Sequence, residues 1–229
     1  TNNLISVKSK SVYWQKETLL NIGIKFLLKT KCKYIMWVDA DIIFSSDNWY
    51  EKILNSVSFY EVTQIFKTAH QQNFSNGKTR SKKSSAFYIN NKSTSTNKLS
   101  NLLERKGEPG YGYCYHREVF DNVYLFDKAI TGTGDFLNLI GMYYTDSFQR
   151  KIKNDRFFKN TTNEFIETYC DWASEFTKQN RNLGYVDEEI LVMNHGSLEN
   201  RKYKERESII KKHNYIPSFD LKINKNGIY

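Results

Sequence analysis

The sequence predicts an α/β fold, with a mixed, mostly parallel central sheet flanked by helices in one domain spanning residues 1–229. Three observations carry that expectation. Stretches with helical periodicity alternate along the chain with short apolar runs. One of those runs, residues 33–38, is aromatic and apolar, as expected of a buried strand. The chain is also rich enough in core material: 39% of its 229 residues are apolar, including 16 Tyr, 15 Phe and 4 Trp.

The elements follow in order. Residues 15–29 read as an amphipathic helix. Leu20, Ile24 and Leu27 fall at helical spacing, and Leu19, Ile22 and Phe26 widen the stripe. The strand at 33–38 runs into Asp39-Ala40-Asp41 and then Ile42-Ile43-Phe44. Ser45 to Asn48 is a turn, and Asp47 or Asn48 can cap a helix reaching Ser56. Residues 61–67 alternate as a strand does. Residues 71–106 are rich in Ser, Asn, Lys and Thr and poor in apolar positions. They are expected to form a polar insertion or mobile loop, with a short helix near Leu99–Arg105.

Pro109-Gly110-Tyr111-Gly112 ends that stretch, and an aromatic strand over 111–115 and a short helix near Arg117–Val123 follow. Thr131-Gly132-Thr133-Gly134-Asp135 is a Gly-rich turn into a helix over 135–142. Residues 161–179 form the most regular helix. Thr161 and Glu164 have capping-box spacing, and Phe165, Tyr169, Trp172 and Phe176 line one face. A short apolar strand over 190–193 leads to Asn194-His195-Gly196. A charged surface helix then runs from Arg201 to Lys212, and Pro217 breaks it.

Composition narrows the partners. The formal net charge is +9, which admits nucleic acid, an anionic surface or phosphorylated small molecules. The charge is spread rather than gathered into one run, which favours a solvated surface over a nucleic-acid partner. Cys32, Cys114 and Cys170 are far apart and odd in number. They imply neither a disulfide framework nor a zinc site, and fit a reducing, cytoplasmic setting. No run of ~18 apolar residues is present, so no transmembrane helix is expected. No signal peptide is visible, and the chain does not begin with Met, so it reads as part of a longer, multidomain chain.

The chemistry centres on Asp39-Ala40-Asp41. Side chains two apart at a strand end point the same way. Two carboxylates so placed repel one another unless a cation lies beside them, and hard oxygen ligands suit Mg²⁺ or Mn²⁺. Ligands of α/β sheets also bind beyond the carboxyl ends of strands. The plain alternative is a loop with two solvated acids. Asp135 is the second acid of interest, presented by a Gly-rich turn at a helix start. The plain alternative is a helix cap. Gly134 in that turn would let the backbone approach an acceptor. Tyr111, Gly112 and Tyr113 could border a ligand through their aromatic faces; core packing is the competing role.

The stretch from Lys16-Glu17 through Asn21 and Gly23, followed by Tyr34-Ile-Met-Trp-Val-Asp39-Ala-Asp41, resembles family 2 glycosyltransferases of the GT-A fold. The wider pattern is similar to small glycosyltransferases of that fold from phages and large DNA viruses. It comprises Trp14-Gln-Lys16-Glu17, Trp37-Val-Asp39-Ala-Asp41 and His195-Gly196. The motif order covers most of the chain but not 71–106. The resemblance implies a GT-A-type nucleotide-diphospho-sugar transferase acting in glycan biosynthesis, in a host cytoplasm if the source is viral. It would move a sugar from a nucleoside-diphosphate sugar, UDP-sugar favoured, to a glycan or glycoprotein hydroxyl.

By that resemblance Asp41 ligates Mn²⁺ or Mg²⁺, Asp39 contacts ribose or the metal, and His195 is a third ligand or diphosphate contact. Trp14, Lys16 and Asn21 lie near the donor, with Lys16 on phosphate; Arg201 and Lys202 could screen phosphate. Asp135 serves as the base, with inversion at the anomeric carbon. The family usually shows an acidic pair there, whereas Phe136 follows Asp135 here. GT-A folds begin with a strand–helix–strand unit that this chain lacks or disguises, so either N-terminal strands are missing or the nucleotide base is bound differently. The competing functions are a nucleotidyltransferase acting on sugar phosphates and a non-catalytic glycan- or nucleic-acid-binding module.

Overall fold

A computed structural model of the chain describes residues 4–72, 79–92, 98–145, 147–178, 182–193, 202–224 and 227–229. The first elements are α1 (Lys16–Leu27), β1 (Tyr34–Val38), β2 (Ile42–Phe44), α2 (Trp49–Val57), β3 (Val62–Gln64) and β4 (Thr68–Gln72). Next come β5 (Thr79–Lys83), α3 (Ser85–Lys92), α4 (Lys98–Leu103), β6 (Gly112–His116), α5 (Gly134–Gly141) and α6 (Phe148–Ile152). The last are α7 (Asn163–Thr177), β7 (Leu183–Tyr185), β8 (Glu189–Val192), α8 (Tyr203–Lys212) and α9 (Pro217–Asp220).

The chain forms two compact units. The first comprises Thr1–Cys32, Asn122–Phe176 and Lys202–Tyr229; the second comprises Lys33–Asp121 and Thr177–Arg201. Both are discontinuous, so no single cut in the sequence separates them.

Among the described residues, the eight strands lie in the second unit, in two four-stranded sheets rather than one. Their orders are β1-β6-β3-β7 and β2-β8-β4-β5. The expected mostly parallel sheet is corrected. Only β3·β7 and β4·β8 pair in parallel; the other four pairings are antiparallel. Apolar periodicity reports which face of a strand is covered, not which neighbour it pairs with or in which direction. Three short connections carry the chain from the first sheet to the second: residues 39–41 from β1 to β2, 65–67 from β3 to β4, and 186–188 from β7 to β8. Ile65, Phe66 and Val186 fill the corners and join a core with Ile53, Val57, Ala69, Cys114, Ile190 and Val192. Backbone bonds lock two of the corners together: Val186 N–H donates to Gln64 O at 3.0 Å and Lys67 N–H to Glu188 O at 2.8 Å.

In the stretch 71–106 the short helix expected near Leu99–Arg105 is α4, and the described residues hold further regular elements. β5 pairs with β4 over five residues, and α3 and α4 follow. Its few apolar residues are placed to serve helices. Ala86 and Ile89, then Leu99 and Leu102, recur at a spacing of three and are buried.

The first unit is helical. α7 buries Phe165, Tyr169 and Phe176 as its spacing predicts, together with Ile166, Cys170 and Ala173. Phe126 meets Phe165 and Tyr169 edge-on at 5.7 and 5.0 Å. The cap lies one residue later than predicted: Thr162 Oγ1 accepts from Phe165 N–H at 3.2 Å, and Glu164 instead takes the Ser218 hydroxyl. α1 departs further from its expected stripe. Leu19 and Phe26 are exposed, and the buried positions are Glu17, Thr18, Asn21 and Ile24. Pro217 does not merely end a helix but opens α9 at its first turn, where its missing N–H costs nothing. Among the described residues, no helix is long and apolar enough to cross a membrane.

Candidate functional site

Asp39-Ala40-Asp41 is the first of the three sheet-to-sheet corners of the second unit. Asp39 leaves β1 in extended register, its N–H donating to Tyr111 O at 3.0 Å. Asp41 enters β2 with its carbonyl accepting from Met193 N–H at 2.7 Å. Both aspartates are half-buried. Ala40 and Asp41 form a turn, so the strand alternation that would align the two side chains ends at Asp39. β1 is an edge strand antiparallel to β6, so the rule for parallel strand ends does not apply either. The segment is held by its two flanking backbones instead.

Those flanks are segments that the sequence marked independently. Tyr111 has φ of 74°, uncommon for a residue with a side chain. Its ring packs on Phe66 at 5.6 Å and its hydroxyl accepts from Gln71 at 3.2 Å. At Gly112 a Cβ would lie 2.8 Å from Trp37 O and 2.5 Å from Ile65, so β6 can approach β1 and β3 only with glycine there. Tyr113 is buried, with its hydroxyl donating to Pro109 O at 2.8 Å. Of the acceptor residues expected here, Gly112 and Tyr113 are therefore core, and Tyr111 is the one beside Asp39. Met193 follows β8 and stands two residues before His195 in the sequence. His195 and Arg201 lie outside the described residues.

Among the described residues, no group of three or more His, Cys, Asp or Glu side chains is placed to hold a metal ion. Asp39 and Asp41 supply two hard oxygen donors, the type and number by which proteins hold Mg²⁺ or Mn²⁺ together with water and substrate phosphates. The donor set fits such a cation.

A second cluster forms within the first unit, where the Trp14–Glu17 motif meets the Thr131–Asp135 turn. Trp14 N–H donates to Ile130 O at 2.9 Å. Lys16 Nζ lies 3.1 Å from both Asp135 carboxylate oxygens. Gly132, at φ of 97°, and Thr133, at 75°, bend the chain through left-handed conformations into α5. Gly134 is needed for close packing. A Cβ there would come within 2.1 Å of Glu17 Cδ, so the space that a substrate was expected to use holds the Glu17 carboxyl. The Arg206 guanidinium sits over the Trp14 ring, 5.5 Å from its centre.

Glu17 and Arg206 were not foreseen as members of this cluster. Glu17 had a legible signal: with Asn21 and Ile24 it keeps helical spacing, which puts all three on one face of α1. Burial raises its pKa from 4.5 to about 8, and the negative charge of Asp135 adds to the shift. A backbone hydrogen bond and Lys16 oppose it, and Asp127 contributes last. Glu17 is thus largely a neutral acid at neutral pH.

The chain matches no protein-family model, and no curated protein or solved structure is significantly similar to it. Asn21 is buried, and its carboxamide is committed to the chain: Nδ2 donates to Leu125 O at 2.9 Å and Oδ1 accepts from Leu125 N–H at 3.0 Å. Lys202 is exposed, in a left-handed conformation just before α8. Trp14, Lys16 and Gln15 line an open cleft of about 340 Å³ in the first unit.

Proposed function

We propose that the protein is a metal-dependent glycosyltransferase that moves a sugar from a nucleoside-diphosphate sugar to a hydroxyl of a glycan or glycoprotein. The observation that supports this reading best is the Asp39-Ala40-Asp41 corner. It is held on one side by Tyr111 and on the other by Met193, at the end of the strand that leads to Asn194-His195-Gly196. Residues 39–41, 111–115 and 190–193, three segments marked separately in the sequence, thus adjoin in one unit.

In this proposal Asp41 ligates a divalent cation, and Asp39 contacts the donor ribose or a water on the cation. The bound cation would offset the negative charge that builds on the departing nucleoside diphosphate. The proposed base is Asp135, which takes the proton of the acceptor hydroxyl as that oxygen attacks the anomeric carbon, with inversion. Its two oxygens share the Lys16 ammonium, so base action requires that ammonium to turn aside or to move onto the substrate.

The test is hydrolysis and transfer across a panel of nucleotide sugars, with Mn²⁺ present or chelated. Asp41→Ala is expected to lower cation-dependent turnover by about a hundredfold or more while leaving the circular dichroism unchanged. Near-normal turnover in that variant would remove the cation role. Asp135→Asn is expected to lower transfer by ~100-fold with donor affinity retained. An unchanged rate assigns the base elsewhere.

A further inference from the structure

We propose that the cleft of the first unit binds a neutral oligosaccharide, with one sugar ring stacked on Trp14 beside Tyr13. Its assignment as the acceptor subsite rests on the glycosyltransferase reading; saccharide binding itself does not. At about 340 Å³ the cleft falls at the lower end of ligand-site volumes. Its walls combine the rings of Tyr13 and Trp14 with Leu19, Ile228, Gln15 and Lys16.

Four features point to a sugar. The first is an aromatic platform open to solvent. Tyr13 and Trp14, adjacent in the chain, are 47% and 43% exposed. Sugar rings present C–H faces that pack on such rings and leave their hydroxyls for polar partners. The second is rigidity: Trp14 is fixed by its backbone bond to Ile130 and by Arg206 over its ring. A platform held in advance loses little entropy on binding.

The third feature is an amide on the cleft wall with hydrogen-bonding capacity in reserve. Gln15 Nε2 donates to Ser9 Oγ at 2.9 Å, while Gln15 Oε1 is buried with no donor. An acceptor left without a donor is a cost that a sugar hydroxyl reaching it would offset. The fourth feature is charge. Among the residues lining the cleft, Lys16 alone is charged, and its ammonium is already balanced by Asp135 at 3.1 Å. A nucleoside diphosphate entering here would bring its charge against the Asp135 carboxylate, whereas a neutral polyol does not. The same geometry moves the expected aromatic acceptor border away from Tyr113, whose ring is buried.

The experiment is calorimetric titration of the full chain, without donor or divalent cation. The probes are neutral trisaccharides of glucose, galactose, mannose and N-acetylglucosamine, with uridine diphosphate titrated in parallel. The expected result is that at least one trisaccharide binds. Trp14→Ala is expected to weaken it by about tenfold, Trp14→Phe by much less, and uridine diphosphate should not compete. Tyr13→Ala, at the exposed rim, repeats the test should Trp14→Ala fail to fold. Absence of binding by every trisaccharide, binding that survives Trp14→Ala and Tyr13→Ala, or displacement by uridine diphosphate would each overturn the proposal. Because no donor is present, failure of saccharide binding is distinct from failure of cation-dependent transfer.

Discussion

Glu17 in the helical unit and Glu188 in the sheet unit are both nearly closed to solvent, at 3% and 2% exposure, though Glu17 lies the deeper of the two. Near neutral pH the first is largely protonated and the second ionised. Glu188 closes the corner from β7 to β8. Its Oε1 accepts from the backbone N–H groups of Ser45 and Ser46 at 3.1 and 3.0 Å, and Oε2 accepts from Lys52 Nζ at 2.7 Å and from the Ser46 hydroxyl. Burial acts to raise its pKa, but hydrogen bonds from Lys52 and Ser46 outweigh that and hold the carboxyl below its ordinary value. Glu17 instead faces the α-carbon of Gly134 and the charge of Asp135. Low solvent exposure therefore does not by itself decide the charge of a carboxyl here: burial dominates at Glu17, whereas at Glu188 the donors aimed at the carboxylate outweigh it. One acid staples a corner, and the other lies beside a proposed catalytic carboxylate.

The comparison is sharpest if the same change is made at both positions. Glu17→Gln keeps the shape and removes the proton that can be lost. The Glu17 pKa is raised on folding, so its contribution is complete below about pH 4.5. It declines as the unfolded chain ionises and is lost by about pH 8, where the folded carboxyl ionises too. The variant is expected to be more stable than the parent at pH 8 by on the order of a few kcal/mol, and equal to it near pH 4. Urea midpoints across that range measure it; parallel pH profiles for the two proteins would show that Glu17 is ionised in the fold.

Glu188→Gln should act in the opposite sense. It sets an amide N–H₂ against donors that now receive a carboxylate, and is expected to cost about 2 kcal/mol at neutral pH. The Glu188 pKa is lowered on folding, so its contribution is present above the unfolded value near 4.5 and fades as pH falls through the folded value. The deficit of the variant should therefore shrink in acid. A deficit independent of pH would mean that packing, not charge, is what Glu188 supplies.

The two regions were unequally legible in the sequence. The strand at β1, the helices α1, α2, α5 and α7, and the strand at β8 all follow from periodicity and apolar runs. Their ends fall within about two residues of the structure because local pattern controls them. β7 has three residues and α6 five, too short for any pattern to register. The two-sheet arrangement was hidden because Thr63 pairs with Gly184 and His70 with Leu191, across more of the chain than any local rule spans. The site divides in the same way. Asp39-Ala40-Asp41 is contiguous and could be read directly. The Lys16–Asp135 pair joins residues 119 positions apart and had no local trace. Glu188 had none either, since its partners come from residues 45, 46 and 52.

The contact between Gly134 and Glu17 yields the smallest effect but the most specific one. Gly134 has a helical φ, so alanine brings no backbone strain and would by itself add up to ~1 kcal/mol of helix propensity. Against that, the added methyl lands 2.1 Å from Glu17 Cδ. Overpacking of this kind costs about 1–3 kcal/mol, so Gly134→Ala is expected to destabilise by about 1 kcal/mol net. In a Glu17→Ala background the obstruction is gone, and Gly134→Ala should become neutral or stabilising. The double-mutant cycle reads that change of sign directly. An equal cost in both backgrounds would mean that Glu17 does not occupy the space over Gly134, and would break the contrast between this carboxyl and the one at the sheet corner.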